Sequence, residues 1–212
     1  ANRTRLDSFT GIGDDNALKI LKDVGEELKI ATTTDIHSVD EVEKAAKCVD
    51  IIQIPAFLCR QSELIQAAAK TGKHVNIKKG QFLSAQSMQF AVEKIKDSGN
   101  TNIILTERGT MFGYNDLVVD YRSIPIMKSY GYPVVLDVTH SLQEPNNLSG
   151  LTGGKPKLIE TIAKAGVAIG IDGIFLETHF SPNDSKSDSK NMLDLKSLED
   201  LLIKLLRIRK SI

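Results

Sequence analysis

Residues 133–140 read PVVLDVTH. Val134, Val135 and Leu136 make a short buried-strand pattern, and the two valines are β-branched. The apolar run stops at Asp137, and a hydroxyl (Thr139) and an imidazole (His140) follow at once. An apolar strand ending in reactive side chains marks a core element with chemistry at its carboxyl end.

The pattern recurs in both directions. Upstream, Lys29–Thr34 runs out at Asp35, and Val49–Ile54 carries Gln53 near its end. His74–Ile77 leads into Lys78 and Lys79, and Asn102–Thr106 leads into Glu107 and Arg108. Downstream, Gly173–Glu177 is followed closely by His179. Helical spacing fills the intervals: Asp14–Leu28 with an aspartate as candidate cap, Val39–Cys48, Ser62–Thr71, Ser84–Ser98, a region around Asp120–Tyr130, Pro156–Gly166 and about Leu195–Arg209. Val167–Gly170 reads as a separate short apolar piece, and loops are expected over Thr110–Asn115, His140–Lys155 and His179–Lys190.

Strict alternation of apolar strands and amphipathic helices calls for a parallel sheet covered by helices, an α/β fold. An open doubly wound sheet would gather its ligands at one switch point. Here almost every strand ends in polar residues, which fits the mouth of a (β/α)8 TIM barrel better. Six strands are visible, and Ala1 begins the chain without a lead-in element. The expectation is one barrel domain over residues 1–212, with its first strands missing from this chain.

Composition narrows the function classes. The 27 lysines and arginines balance 27 acidic residues. A neutral chain lacks the basic surface of a nucleic-acid binder. No apolar run approaches the roughly 18 residues that span a membrane, and no basic-then-apolar leader is visible. Cys48 and Cys59 form no motif and read as small hydrophobes in a reducing, cytoplasmic setting.

The barrel mouth would collect Asp35, Gln53, Lys78, Arg108, Asp137, His140, Glu177 and His179. Side chains alternate along a strand, so Asn76 shares a face with Lys78, and Thr106 with Arg108. Lys79 has the opposite parity and is expected against a helix or at the surface. Asp137 and His140 also differ in parity, so both reach the mouth only if the strand breaks by about Thr139. Lys78 and Arg108 suit a small, doubly anionic substrate, one as a point charge and one as a planar fork. The competing reading makes each a structural ion pair at the rim. His140, Glu177 and Asp188 offer an imidazole and two carboxylates, a set that suits a divalent metal with open positions. The alternative for the histidine is a hydrogen-bonded rim residue. His37 and His74 read as structural or surface residues, and Arg60 as a solvated charge. Gly153-Gly154 before Lys155 has the form of an anion-binding turn or of a flexible loop. No glycine-rich nucleotide motif is present.

Seven segments resemble one enzyme family: ANRT (1–4), TDIH (34–37), QIPAFLCRQ (53–61), NIKKGQF (76–82), ERGTMFGYNDLVVD (107–120), DVTHSLQ (137–143) and FLETH (175–179). In this order they are similar to the 3-deoxy-D-manno-octulosonate 8-phosphate synthases, and the resemblance covers essentially the whole chain. It implies a (β/α)8 barrel, a homotetramer, and a transferase that condenses phosphoenolpyruvate with D-arabinose 5-phosphate for lipopolysaccharide biosynthesis. C3 of phosphoenolpyruvate attacks the aldehyde carbon, water adds at C2, and the hemiketal phosphate collapses with C–O cleavage. The resemblance places Lys78 and Arg108 on the carboxylate and phosphate of phosphoenolpyruvate, with Gln53, Ala56 and Gln81 nearby. Asn2, Arg3 and Thr4 would bind arabinose 5-phosphate, and Arg60 would reach its phosphate across a subunit interface. Asp35 would line the sugar pocket. His140, Glu177 and Asp188 match the family's metal positions, with Asp188 and His140 also counted among the catalytic residues alongside Lys78 and Arg108.

The family divides into metal-dependent and metal-independent members, with a deciding Cys or Asn on an N-terminal strand that this sequence does not include. KKGQF (78–82) and SDSKNML (187–193) are closer to the metal-dependent pattern than the alternatives KKPQF and CDGPSALP. A divalent ion such as Zn, Fe, Mn or Co is therefore expected. Three rivals remain in view: the related synthase that uses erythrose 4-phosphate, disfavoured because ANRT stands where that enzyme has a KPRT-like motif; a Schiff-base aldolase built on Lys78; and a non-catalytic sugar-phosphate-binding barrel.

Overall fold

The computed structural model describes residues 9, 11–111, 116–145 and 152–212. Its core is a six-stranded parallel sheet of β1 (Thr33–Asp35), β2 (Ile51–Ile54), β3 (His74–Lys78), β4 (Ile103–Glu107), β5 (Val134–Asp137) and β6 (Gly173–Phe175). Each strand pairs with its neighbours in the sequence, in the order 1-2-3-4-5-6. A doubly wound sheet must reverse its order at a switch point. This sheet never reverses, so it is singly wound, as in six consecutive strands of a (β/α)8 barrel.

Helices α1 (Asp14–Leu28), α2 (Val39–Ala46), α3 (Ser62–Lys70), α4 (Met88–Asp97), α5 (Ser123–Lys128), α6 (Ile159–Ala168) and α7 (Leu198–Arg209) alternate with the strands. Their apolar faces meet the outward residues of the sheet in one core, in which Ile52, Ile65, Ile77, Met88, Leu105, Ile124 and Leu136 are fully buried. Gly72 and Gly99 follow α3 and α4 with φ of 72° and 87°, the left-handed turn that releases a helix toward the next strand. None of the described helices is long and apolar enough to cross a membrane.

Several boundaries differ from those read in the sequence. β1 starts later than Lys29, because Lys29 itself adopts φ 54° as the C-cap of α1. Val167 and Ala168 belong to α6 and are not a separate piece. Burial of Ile159, Ala163, Gly166 and Val167 on one face carries the helix through the sequence Gly166-Val167. Gly166 sits there because a Cβ would lie 2.4 Å from the Leu136 side chain. The expected loop after Gly109 contains a small antiparallel pair, Thr110–Met111 with Leu117–Val118. The expected loop after His140 likewise contains Gln143–Glu144 paired with Gly153–Gly154.

Candidate active site

The strand ends open into one cavity of about 420 Å³. Asp35, Ala56, Lys78, Gln81, Arg108, His140, Glu177 and Asp188 all line it, so most residues singled out from sequence share one space. Gln53 lies just behind its wall. It donates to Asp35 (2.6 Å) and accepts from Asn76 (2.8 Å), which accepts from Thr106 (2.7 Å). This side-chain ladder ties four neighbouring strands together beneath the cavity and holds Asp35 at its edge. Asn2, Arg3 and Thr4 lie outside the described residues. Arg60 is exposed and away from the cavity, its carbonyl accepting a bond from Lys94.

Asp137 is the centre of the polar network. It is fully buried. The chain breaks directly after it, so the backbone N–H groups of Thr139 (3.0 Å) and His140 (2.8 Å) both donate to its Oδ1. Its Oδ2 meets Lys78 Nζ at 2.5 Å and His140 Nδ1 at 2.8 Å. The expected break near Thr139 is what lets residues of opposite parity converge. Burial works against the Asp137 charge, but His140 and Lys78 outweigh it and hold this carboxyl well below the usual range. Thr139 contributes too: its Oγ1 accepts the N–H of Glu177 (2.9 Å), which fixes the end of β6 against the end of β5.

On its other side, His140 Nε2 lies 3.2 Å from Glu177 Oε1. Burial alone lowers the pKa of His140, but the carboxylates of Asp137 and Glu177 overcome it and raise it to about 9. His140, Glu177 and Asp188 each bring a ligand atom within 4.8 Å of the other two. Glu177 Oε2 is buried without a hydrogen-bond partner among the described residues. Asp137 holds the proton on Nδ1 and fixes the ring, so that Nε2 is the nitrogen that gives up its proton to a metal, the usual carboxylate–histidine–metal arrangement. An orphaned carboxylate oxygen beside an oriented imidazole and a second carboxylate fits a divalent ion.

Arg108 faces this group. It is 5% exposed. Burial pulls its pKa down from the ordinary value, opposed by the charges of Asp137, Glu107 and Asp188. Its Nη2 donates to Gln143 Oε1 (2.8 Å), and Gln143 Nε2 donates to Asp188 Oδ1 (3.0 Å). Its Nη1 is buried and has no hydrogen-bond partner among the described residues. Lys78 packs its ammonium 3.9 Å from the centre of the Phe175 ring. Two cations, one with an unused donor, line the same cavity as the three candidate ligands.

Four sequence readings change. Lys79, expected at the surface or against a helix, is fully buried in an ion pair with Glu107, because the loops after β3 and β4 fold back over it. His37 lines the cavity, while His179 does not and instead bonds through Nδ1 to the backbone of Ser181. Gly153-Gly154 is a strand seated on Asn191, whose Nδ2 donates to Gly153 O (3.1 Å). It is neither a free anion-binding turn nor a plain loop. Gln143, the bridge between Arg108 and Asp188, was not singled out; the only sequence signal for it was its place at the end of the DVTHSLQ segment.

Comparison with known proteins identifies the family of this chain. The family model described as "DAHP synthetase I family" matches residues 1–212. A 2-dehydro-3-deoxyphosphooctonate aldolase of Trichlorobacter lovleyi is 54% identical over 205 residues, covering 97% of this chain and 75% of that protein. Proteins of the same name from Koribacter versatilis and Rhizobium meliloti are 49% and 50% identical, covering 100% and 97% of this chain and 77% and 74% of theirs.

Proposed function

This chain belongs to the DAHP synthetase I family, and from that premise we infer that it condenses phosphoenolpyruvate with D-arabinose 5-phosphate, releasing phosphate and 3-deoxy-D-manno-octulosonate 8-phosphate for lipopolysaccharide synthesis. It is a transferase-type enzyme like the relatives that match nearly all of this chain and share about half its residues. The observation that carries the reading is the pairing of Arg108 and Lys78 in one cavity with the His140, Glu177 and Asp188 cluster.

We assign the residue roles as follows. Arg108 and Lys78 bind the carboxylate and phosphate of phosphoenolpyruvate, and the free Nη1 of Arg108 is the donor held in reserve for them. Gln81 and Ala56 flank that site, and Gln53 supports it from behind through Asp35 and Asn76. Asn2, Arg3 and Thr4 hold arabinose 5-phosphate, with Arg60 of a neighbouring subunit on its phosphate in a homotetramer. Two anions held in one low-dielectric pocket repel each other, and the fixed cations offset that repulsion while aligning C3 with the aldehyde. His140, Glu177 and Asp188 would hold a divalent ion. When bound, such an ion supplies Lewis acidity that orients the aldehyde or the attacking water. Asp137 keeps His140 turned toward that position and holds the Lys78 ammonium in place beside it. The enzyme works in the cytoplasm, where both phosphorylated substrates are found.

The test is phosphate release from phosphoenolpyruvate with each aldose phosphate in turn, before and after exhaustive chelation. Turnover is expected with arabinose 5-phosphate, lost on chelation and restored by a divalent ion. Turnover with erythrose 4-phosphate alone refutes the substrate, and full activity after chelation refutes the metal.

A further inference from the structure

Lys79 is the largest fully buried side chain, yet it faces away from the cavity and has no part in the roles above. Its ammonium donates to Gly80 O (3.3 Å) and Leu83 O (3.2 Å) in the segment after β3. It also donates to Gly109 O (3.3 Å) and Thr110 Oγ1 (3.2 Å) in the segment after β4. Glu107 Oε1 lies 3.5 Å away and accepts the backbone N–H groups of Arg108 (3.0 Å) and Gly109 (2.7 Å). The same two segments are joined by Met111 N–H donating to Gln81 O (3.0 Å). Lys78 and Gln81 stand on the first segment and Arg108 on the second, and all three line the cavity.

Burying an ammonium completely carries a desolvation cost that an apolar side chain of similar length avoids. Burial indeed pulls the Lys79 pKa down, with Glu107 opposing it. A cation in that position adds geometry: it gathers carbonyls from two loops that no strand ladder connects. A methionine would fill the space but take the ammonium donor away from Leu83 O and Gly109 O, while Gly80 O keeps the backbone N–H of Leu83.

We propose that Lys79, paired with Glu107, is a positioning residue that fixes the carboxyl ends of β3 and β4 so that Lys78, Gln81 and Arg108 converge on one anion. The proposal rests on the phosphoenolpyruvate reading for the identity of that anion. Displacements of about 1 Å at a binding group can cost on the order of 100-fold, so loosening this knot is felt at phosphoenolpyruvate and not at the sugar phosphate.

The experiment uses the full-length protein with Lys79→Met and the double variant Lys79→Met/Glu107→Gln, which removes both buried charges. Phosphoenolpyruvate binding is measured by calorimetry, and KM for each substrate by phosphate release. The expected result in every variant that folds is a rise of roughly 10-fold or more in phosphoenolpyruvate Kd and KM, with the arabinose 5-phosphate KM within about 2-fold of wild type. Unchanged phosphoenolpyruvate values overturn the proposal, as does an equal rise in both KM values. Failure of both variants to fold also overturns it, since Lys79 then serves stability alone. If wild-type protein binds phosphoenolpyruvate but releases no phosphate with arabinose 5-phosphate, the substrate assignment fails by itself, and calorimetry still decides the role of Lys79.

Discussion

Replacing Asp137 with asparagine exchanges one oxygen for an NH2 group at the most connected charge in the protein. The native carboxylate receives four donors: two backbone N–H groups, Lys78 Nζ at 2.5 Å and His140 Nδ1 at 2.8 Å. In the variant the amide oxygen still accepts from the backbone. The amide nitrogen then points donors at an ammonium and at a ring N–H. Lys78, with a side chain only 8% exposed, loses its counter-charge and has little water to replace it. Removing one partner of a buried ion pair costs about 3–5 kcal/mol, a large part of the 5–15 kcal/mol typical of a whole domain. With roughly 2.1 cal/mol/K of unfolding entropy per residue over 212 residues, that loss lowers Tm by about 7–11 °C.

The second effect is on the metal site. An amide N–H facing Nδ1 favours the tautomer with its proton on Nε2, the atom that faces Glu177 at 3.2 Å. Nε2 is then unavailable as a ligand, and divalent-ion affinity falls by roughly 10–100-fold, the usual effect of losing such a supporting partner. Calorimetric melting measures the first effect, and competition with a chromophoric chelator measures the second. The double variant Lys78→Met/Asp137→Asn removes both buried charges, keeps an oxygen for the two backbone N–H groups and regains most of the stability while binding metal poorly. A Tm within about 2 °C of wild type for Asp137→Asn refutes the charge argument, because a loss of 3 kcal/mol or more cannot hide there. A double variant as unstable as the single one refutes it too, since packing would then be the cause.

Two further substitutions probe the surrounding framework. Gly154→Ala puts a Cβ 1.6 Å from Asn191 Oδ1 and 2.8 Å from Lys190 O, so the strand must lift off the segment that carries Asp188; chelator competition should show weaker metal binding, and an unchanged affinity would mean that the two segments are not coupled. Arg108→Lys keeps the charge but loses the fork that serves Gln143 and the substrate together; phosphoenolpyruvate KM should rise about 10-fold or more, and a KM near wild type would show that Arg108 acts only as a point charge.

The strand count and most of the cavity were legible in the sequence because they depend on local patterns. An apolar run of period two ends, and the next residue of the right parity faces the barrel mouth; Lys78, Arg108 and Glu177 were found in that way. Parity also placed Lys79 away from the mouth, which is correct, and a lysine facing away from the mouth suggested solvent or a helix. What parity cannot see is that residues 80–83 and 109–110 return over the strand ends and bury it. Gln143 meets Arg108 across 35 positions, and Asn191 meets Gly153 across 38. Neither contact leaves a periodic trace, and both emerge only once the loops are folded. The pair Gly153-Gly154 gave a turn signal for the same reason: two glycines look flexible until Asn191 is seen to occupy the space a side chain at Gly154 would fill.

The charges of the site alternate along a line from β3 to β6: Lys78, Asp137, His140, Glu177. The Lys78–Asp137 link spans β3 and β5 over the end of β4, and the His140–Glu177 link joins the ends of β5 and β6, so the line is also a cross-tie over the strand ends. This order bears on the chemistry of Lys78. A Schiff-base lysine must be a neutral amine with its lone pair free to attack a carbonyl. Lys78 sits 2.5 Å from a carboxylate and over the face of an aromatic ring, two contacts that reward an ammonium. Nothing of that kind serves a nucleophile. The same surroundings suit a cation that holds an arriving anion by charge, and Arg108 Nη1, which has no hydrogen-bond partner among the described residues, is the donor with most to gain from that anion. The buried charges therefore favour condensation guided by fixed cations over covalent catalysis by the lysine.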